Sequence, residues 1–192
     1  DSHLEDLEKR LREGRYRAQR VKRRWIAKAG SHKRRPLGIP VLEDKIVQQA
    51  VKMILEAIWE ADFVEESIGY RSGKGARQSG KDLRDALNQA QYYRWVVEAD
   101  IRSFFDHIDH GWMVRMLEER IADRTLIRLI VKWFKAGILE EDGRTLHPAT
   151  GTPQGGVISP ILANIYLHYV QDLWIGRVVS KCSKGRVLFR RY

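Results

Sequence analysis

Two stretches of the chain hold residues whose types and spacing suit chemistry. The first is Arg94-Trp95-Val96-Val97-Glu98-Ala99-Asp100-Ile101-Arg102-Ser103-Phe104-Phe105-Asp106. Trp95, Val96 and Val97 favour strands, and the run closes on Asp100. A buried strand ending in Asp sets one anionic side chain at the rim of a sheet. There it is either a salt-bridge partner or a metal ligand. The second stretch is the loop Gly151-Thr152-Pro153-Gln154-Gly155-Gly156-Val157-Ile158-Ser159-Pro160.

Two other spacings look chemical and have plainer readings. Gly75-Ala76-Arg77-Gln78-Ser79-Gly80-Lys81-Asp82 nearly fits the phosphate loop G-x-x-x-x-G-K-[ST]. Its last position should offer a hydroxyl to a metal, but Asp82 would set a carboxylate beside a triphosphate. No apolar strand leads into Gly75 either. His107-Ile108-Asp109-His110 offers ligands three apart with no further Cys or His beside them, so it reads as a helix start.

The elements that must position these residues follow from periodicity. Residues 3–14 predict a helix with Leu4, Leu7 and Leu11 on one face. Residues 15–35 read as basic extended strands around Ala29-Gly30-Ser31-His32, and Leu37-Gly38-Ile39-Pro40 as a short extended piece. Glu43 to Ala61 is the clearest helix, with Ile46, Val47, Ala50, Val51, Ile54, Leu55 and Ile58 repeating at three and four. A glycine-punctuated loop over 68–75 leads to a helix over 76–91 with Leu83, Ala86, Leu87 and Ala90 inward, then to a strand ending at Asp100. Asp109 and Asp123 cap two further helices, to about Ile121 and over 124–136. Asp142-Gly143 turns a hairpin, and Ser159-Pro160 opens a helix reaching about Trp174. Residues 186–192 alternate like a strand. The whole is α+β, with helices carrying most of the mass.

The 192 residues suffice for one large or two small domains with a real core. The net charge of +10 is concentrated: Lys9 to Arg35 holds thirteen Lys/Arg and one acid, Glu13. Arg177 to Arg191 holds six more and no acid. Basic segments flanking a balanced middle point to a polyanion, of which nucleic acid is the usual one. The segment after the Leu4, Leu7, Leu11 stripe is too rich in Arg to insert into a membrane. The single cysteine, Cys182, excludes an internal disulfide and a cysteine-based zinc site, which suits a reducing compartment. No apolar run reaches the length of a membrane span and no signal peptide is recognisable, so a soluble, intracellular (cytoplasmic) protein is expected.

The two opening stretches, in this order, resemble the reverse transcriptases of bacterial group II introns, or maturases. Arg35-Pro36-Leu37-Gly38-Ile39-Pro40 with Asp44 and Gln48 is similar to that family's first fingers motif. Ile68-Gly69-Tyr70-Arg71-Ser72-Gly73-Lys74-Gly75 is similar to the next, with Tyr70 and Ser72 as mild departures. The resemblance implies the fingers (residues 1–93) and partial palm (residues 94–192) of a right-handed polymerase, helix-rich with a small antiparallel palm sheet. It implies an RNA-dependent DNA polymerase using a two-metal Mg2+ site, with Asp100 and the carbonyl of Ile101 as ligands. Phe105 stands where the family sets an aromatic against the sugar 2′ position, and Phe104 is assigned to the core. Gln154 and Gly155 match the loop on the incoming nucleotide; Gly155 allows close backbone approach. Arg35, with Lys28 or alternatively Lys33, is implied for the triphosphate, and Arg34, Arg71 and Lys74 for nucleic acid.

Implied partners are an RNA template and primer, intron RNA, deoxynucleoside triphosphates and a second copy in a homodimer. The family takes its remaining metal carboxylates from Tyr-x-Asp-Asp, which would begin at Tyr192. The chain is therefore expected to be inactive alone, a piece of a longer enzyme. A rival reading is a non-catalytic RNA-binding module with a polymerase shell. Another is a reverse transcriptase of the retron, diversity-generating or CRISPR-associated lineages.

Overall fold

A computed structural model describes residues 2–27, 30, 32, 34–88, 93–152 and 155–192. Its elements run α1 (Ser2–Arg12), β1 (Val21–Ala27), β2 (Arg34–Ile39), α2 (Leu42–Trp59), α3 (Ala76–Leu87), α4 (His110–Glu118), α5 (Arg124–Lys135), β3 (Ile138–Leu139), β4 (Thr145–Leu146), α6 (Ser159–Leu167) and α7 (Ser180–Cys182). The chain divides into two compact units, Asp1–Ile54 with Phe104–Ser159, and Leu55–Ser103 with Pro160–Tyr192. Each unit thus draws on both sides of residue 93.

The first unit holds a four-stranded sheet of order β2-β1-β3-β4. The basic hairpin β1–β2 is antiparallel, from Lys22↔Ile39 to Ala27↔Arg34. β1 meets β3 in parallel at Val21↔Ile138, and β3 meets β4 across the expected Asp142-Gly143 turn. Gly143 has φ +85°, the left-handed region that glycine enters without strain. The sheet is therefore mixed, where an antiparallel palm sheet was expected. The strand predicted to end at Asp100 takes no part in it.

Helix ends in this unit follow the expected side chains. The Asp109 carboxylate accepts from the Trp112 amide at 2.8 Å and opens α4; that of Asp123 accepts from the Thr125 amide at 2.7 Å and opens α5. α5 buries Ile127, Ile130, Trp133 and Phe134 and turns Arg124, Arg128 and Lys135 outward. On α1 only Leu7 is buried, and Leu4 stays half exposed. The buried stripe of α2 is Asp44, Val47, Gln48, Val51, Leu55 and Trp59. Ile46 and Ile54, which share the three-and-four repeat, are more than a third exposed. Two polar residues occupy the core register in their stead, and each has an internal partner.

In the second unit, α6 buries Ile161, Leu162, Ala163 and Ile165. It continues past Trp174 through π-helical turns at His168–Asp172 and Ile175–Val179 into α7. α3 begins at Ala76 with Gly75 as N-cap, so most of the glycine-lysine stretch is helix rather than a phosphate loop. Leu83 and Leu87, expected inward, are 38% exposed. Their spacing marks a face without ensuring that anything packs on it. No helix among the described residues is long and apolar enough to cross a membrane.

Candidate functional site

Residues 93–101 form no strand, and Asp100 is exposed on an open segment of the second unit. Trp95 and Val97 are each 90% exposed. A β-prone run needs a neighbouring main chain, and the other strand-like stretch, 186–192, is engaged elsewhere through an Arg191↔Ser67 bridge. Asp100 and the carbonyl of Ile101 are hard oxygen donors of the kind magnesium takes. They are too few: among the described residues no group of three His, Cys, Asp or Glu is placed to hold a metal.

In the first unit three separated blocks converge. Phe104–Asp106 forms a 3-10 turn. The Phe105 carbonyl accepts from the Thr152 amide at 2.8 Å, the Ile108 carbonyl from the Gly151 amide at 2.7 Å, and the Asp106 carbonyl from the Thr150 hydroxyl at 3.0 Å. Gly151, at φ +90°, lies so near this turn that a Cβ would sit 2.8 Å from the Asp106 carbonyl oxygen. The Thr152 and Ser159 hydroxyls are 2.8 Å apart, both buried. Gly155, at φ +103°, packs on the third block: a Cβ there would meet Leu37 Cδ1 at 2.7 Å and the Gly38 carbonyl oxygen at 2.8 Å. Gln48 completes the support, its side-chain oxygen accepting from the Val157 amide at 3.0 Å.

Beneath this loop lies a buried polar cluster. The Tyr16 hydroxyl donates to Asp44 and accepts from Trp133 Nε1 at 2.9 Å; Asp44 also accepts from the Gln19 amide at 3.0 Å. Burial pushes the Asp44 carboxyl above its ordinary range despite those two donors. Burial and the bond to Asp44 raise the Tyr16 phenol too.

Arg34 and Arg35 are exposed on β2, near Trp25, which is 45% exposed on the facing strand at Trp25↔Pro36. Lys28, its alternative Lys33, and Gln154 lie outside the described residues. Phe104 and Phe105 are both half-buried, their rings edge to face at 5.7 Å, so burial does not divide core aromatic from site aromatic. His110 is structural, stacked on Phe134 at 4.5 Å with Nε2 2.7 Å from the Gly151 carbonyl.

Two of the expected nucleic-acid residues have internal partners. Arg71, expected on nucleic acid, is only 7% exposed in the second unit. Its guanidinium donates to Glu60 and to the carbonyls of Val64 and Ser67, and lies 5.4 Å from the Phe63 ring. A fork of donors held by internal acceptors ties that loop together. Lys74 is largely covered and pairs with Glu65 at 2.5 Å.

Sequence reasoning missed a second buried set. Arg191 Nε and an Nη donate to the two Asp172 oxygens at 2.9 and 2.8 Å. Further donations reach Asn164 Oδ1 at 2.8 Å and the Ser67 hydroxyl at 2.5 Å. Asn164 in turn donates to the Gly69 carbonyl at 2.8 Å. The available signal was polar Asn164 and Asp172 in a mostly apolar helical stretch.

Comparison with known proteins fits these motifs. Residues 26–189 match the family described as reverse transcriptase (RNA-dependent DNA polymerase). The chain is 44% identical over 158 residues to the group II intron-encoded protein LtrA of Lactococcus lactis, covering 82% of this chain and 26% of that protein. It is 38% identical over 186 residues to protein YkfC of Escherichia coli K12, covering 95% of this chain and 48% of that one. A solved chain from a partial Cas6-RT-Cas1–Cas2 complex matches with a TM-score of 0.55 at 26% identity, covering 93% of this chain and 29% of that one. The chain thus spans between a quarter and a half of the length of these curated relatives. The chain belongs to the reverse transcriptase (RNA-dependent DNA polymerase) family.

Proposed function

We propose that this chain supplies the template- and nucleotide-binding part of a longer RNA-dependent DNA polymerase, with residues 1–93 serving as fingers and 94–192 as palm. The longer enzyme extends a DNA or RNA primer along an RNA template and engages its own intron RNA. The primer 3′-hydroxyl attacks the α-phosphate of a deoxynucleoside triphosphate, and pyrophosphate leaves. Asp100 and the Ile101 carbonyl are assigned to Mg2+ as part of a larger ligand set. Arg35, with Lys28, is assigned to the triphosphate, Phe105 to the sugar, Gln154 and Gly155 to the base pair, and Arg34 to the template. Arg71 has no place in this list, since its donors are held internally.

The observation that carries this reading is the convergence in the first unit. Three blocks far apart in sequence are tied by Thr152 to Phe105, Gln48 to Val157, and Gly155 against Leu37 and Gly38. A loop so anchored suits a nucleotide platform, which has to keep its shape while substrates change.

The test is primer extension on an RNA template with deoxynucleotides and Mg2+, using a polypeptide continued through the residues that follow Tyr192 in the natural protein. Synthesis is expected, with loss of at least about a thousandfold on Asp100→Asn. A longer polypeptide that binds RNA yet makes no product with any divalent metal would replace this reading with a binding module.

A further inference from the structure

We infer that the first unit carries a second polyanion site, a groove for the phosphate backbone of folded, double-stranded RNA, separate from the β1–β2 hairpin. The inference deepens the proposed function and rests on it only in giving the hairpin the template.

The groove is open, about 920 Å³, between the α1–β1 connection and α5. Its cationic lining is Arg10, Arg15, Arg17, Arg128, Lys132 and Lys135, and no acid lines it. Arg10 and Arg15 are paired with nearby carboxylates. Lys132 donates to the carbonyls of Gly14 and Tyr16. Arg17, Arg128 and Lys135 are exposed, with no carboxylate partner among the described residues. Positive charge gathered without counter-charge costs folding energy through repulsion, and a polyanion relieves it.

Geometry favours a backbone over bases. Arg124, Arg128, Lys132 and Lys135 repeat along α5, a rise of about 16 Å at 1.5 Å per residue. The opposite face is pinned in the core by Ile127, Ile130 and Trp133, so the stripe is rigid before any ligand arrives. The groove's one aromatic, Tyr16, is 1% exposed and unable to stack on a base. Single-strand sites rely on such stacking, and duplex RNA is held through its phosphates and shape. The hairpin differs: Trp25 is exposed there among arginines. The two sites are apart, since the groove adjoins the Val21 end of β1 while Arg34 pairs with Ala27 at the other, roughly 20 Å along the strand.

The test is fluorescence anisotropy of the 192-residue chain with two probes, a 20-base-pair RNA hairpin and a single-stranded 20-mer, across a salt series. The triple variant Arg17→Gln/Arg128→Gln/Lys135→Gln is compared with Arg24→Gln/Arg34→Gln, each checked for unchanged circular dichroism. The groove variant is expected to bind the hairpin RNA at least tenfold more weakly. The slope of log affinity against log salt should fall by roughly 2–3, and single-strand binding should hold. The hairpin-strand variant should show the reverse preference. Hairpin-RNA binding unchanged by the groove variant overturns the inference, as do equal loss of both probes and binding confined to anionic vesicles. Primer extension by a longer polypeptide carrying the groove substitutions separates the two readings. It should proceed unchanged on a short single-stranded template, and its absence in the unsubstituted polypeptide counts against the polymerase alone.

Discussion

Asp44 shows how one residue can set a response to pH. Its carboxyl is 2% exposed and titrates above its ordinary range because burial disfavours the anion. A folded-state pKa above the unfolded value means the native state binds the proton more tightly. Stability is then greatest below the unfolded pKa, near 4, and declines as pH rises from there through the raised native value. Urea unfolding of the 192-residue chain between pH 4 and 7 should show this decline, and Asp44→Asn should flatten it. Asp44→Ala strands the Tyr16 hydroxyl and the Gln19 amide, at a cost of about 1–3 kcal/mol. Arg191 matters for stability through charge balance. It is 8% exposed against a fully buried Asp172 side chain, so Arg191→Met leaves an uncompensated buried anion. Unfolding free energy should drop by about 3–5 kcal/mol, while Arg191→Met with Asp172→Leu should recover much of it. A double variant no more stable than the single one would show that the pair's charge balance is not what holds these segments.

Among the elements, the 151–159 loop has the least freedom to change. Gly155→Ala forces a Cβ against Leu37 and the Gly38 carbonyl at a backbone angle that other residues avoid. A loss of about 1–3 kcal/mol is expected by denaturant titration, and Leu37→Ala should relieve only part, since the carbonyl contact is main chain. Much of the fold was legible because its signals are local: Asp109 and Asp123 capping α4 and α5, Asp142-Gly143 turning β3 into β4, and the three-and-four repeat of α2. The parallel pairing of β1 with β3 was not, since contact between residues over a hundred positions apart leaves no periodic trace. The spacing that marked α2 did not say which flank of its wide apolar face is covered: Ile46 and Ile54 are exposed while Gln48 turns inward to Val157. In the 151–159 loop, residue type marked Gly155, whose close approach to Gly38 the fold bears out. The fate of Arg71 depended on Glu60 and two carbonyls whose nearness only the fold reveals.

For the molecule as a whole, exposed β-prone surface and charge pull in opposite directions. Trp95 and Val97 stand 90% exposed on a segment whose main chain pairs with no strand among the described residues, which invites pairing between copies. The net charge of +10 opposes it. Self-association is therefore expected to grow with salt, and light scattering at rising chain concentration should detect it above about 0.3 M salt, where the Debye length is well under 10 Å. Trp95→Lys/Val97→Lys should keep the chain monomeric, and a monomer at every salt concentration would count against such pairing. The interleaving of the two units also has a meaning for how the chain is made. The first unit needs residues up to Ser159, and the second needs Arg191. At a synthesis rate of roughly 5–20 residues per second, the segment Lys9–Arg35 therefore leaves the ribosome roughly 6–25 seconds before the last residues of its unit exist. During that interval thirteen cations are carried on a nascent chain without their final fold, beside a messenger that is itself RNA. Those cations are thus open to any polyanion nearby before folding is complete.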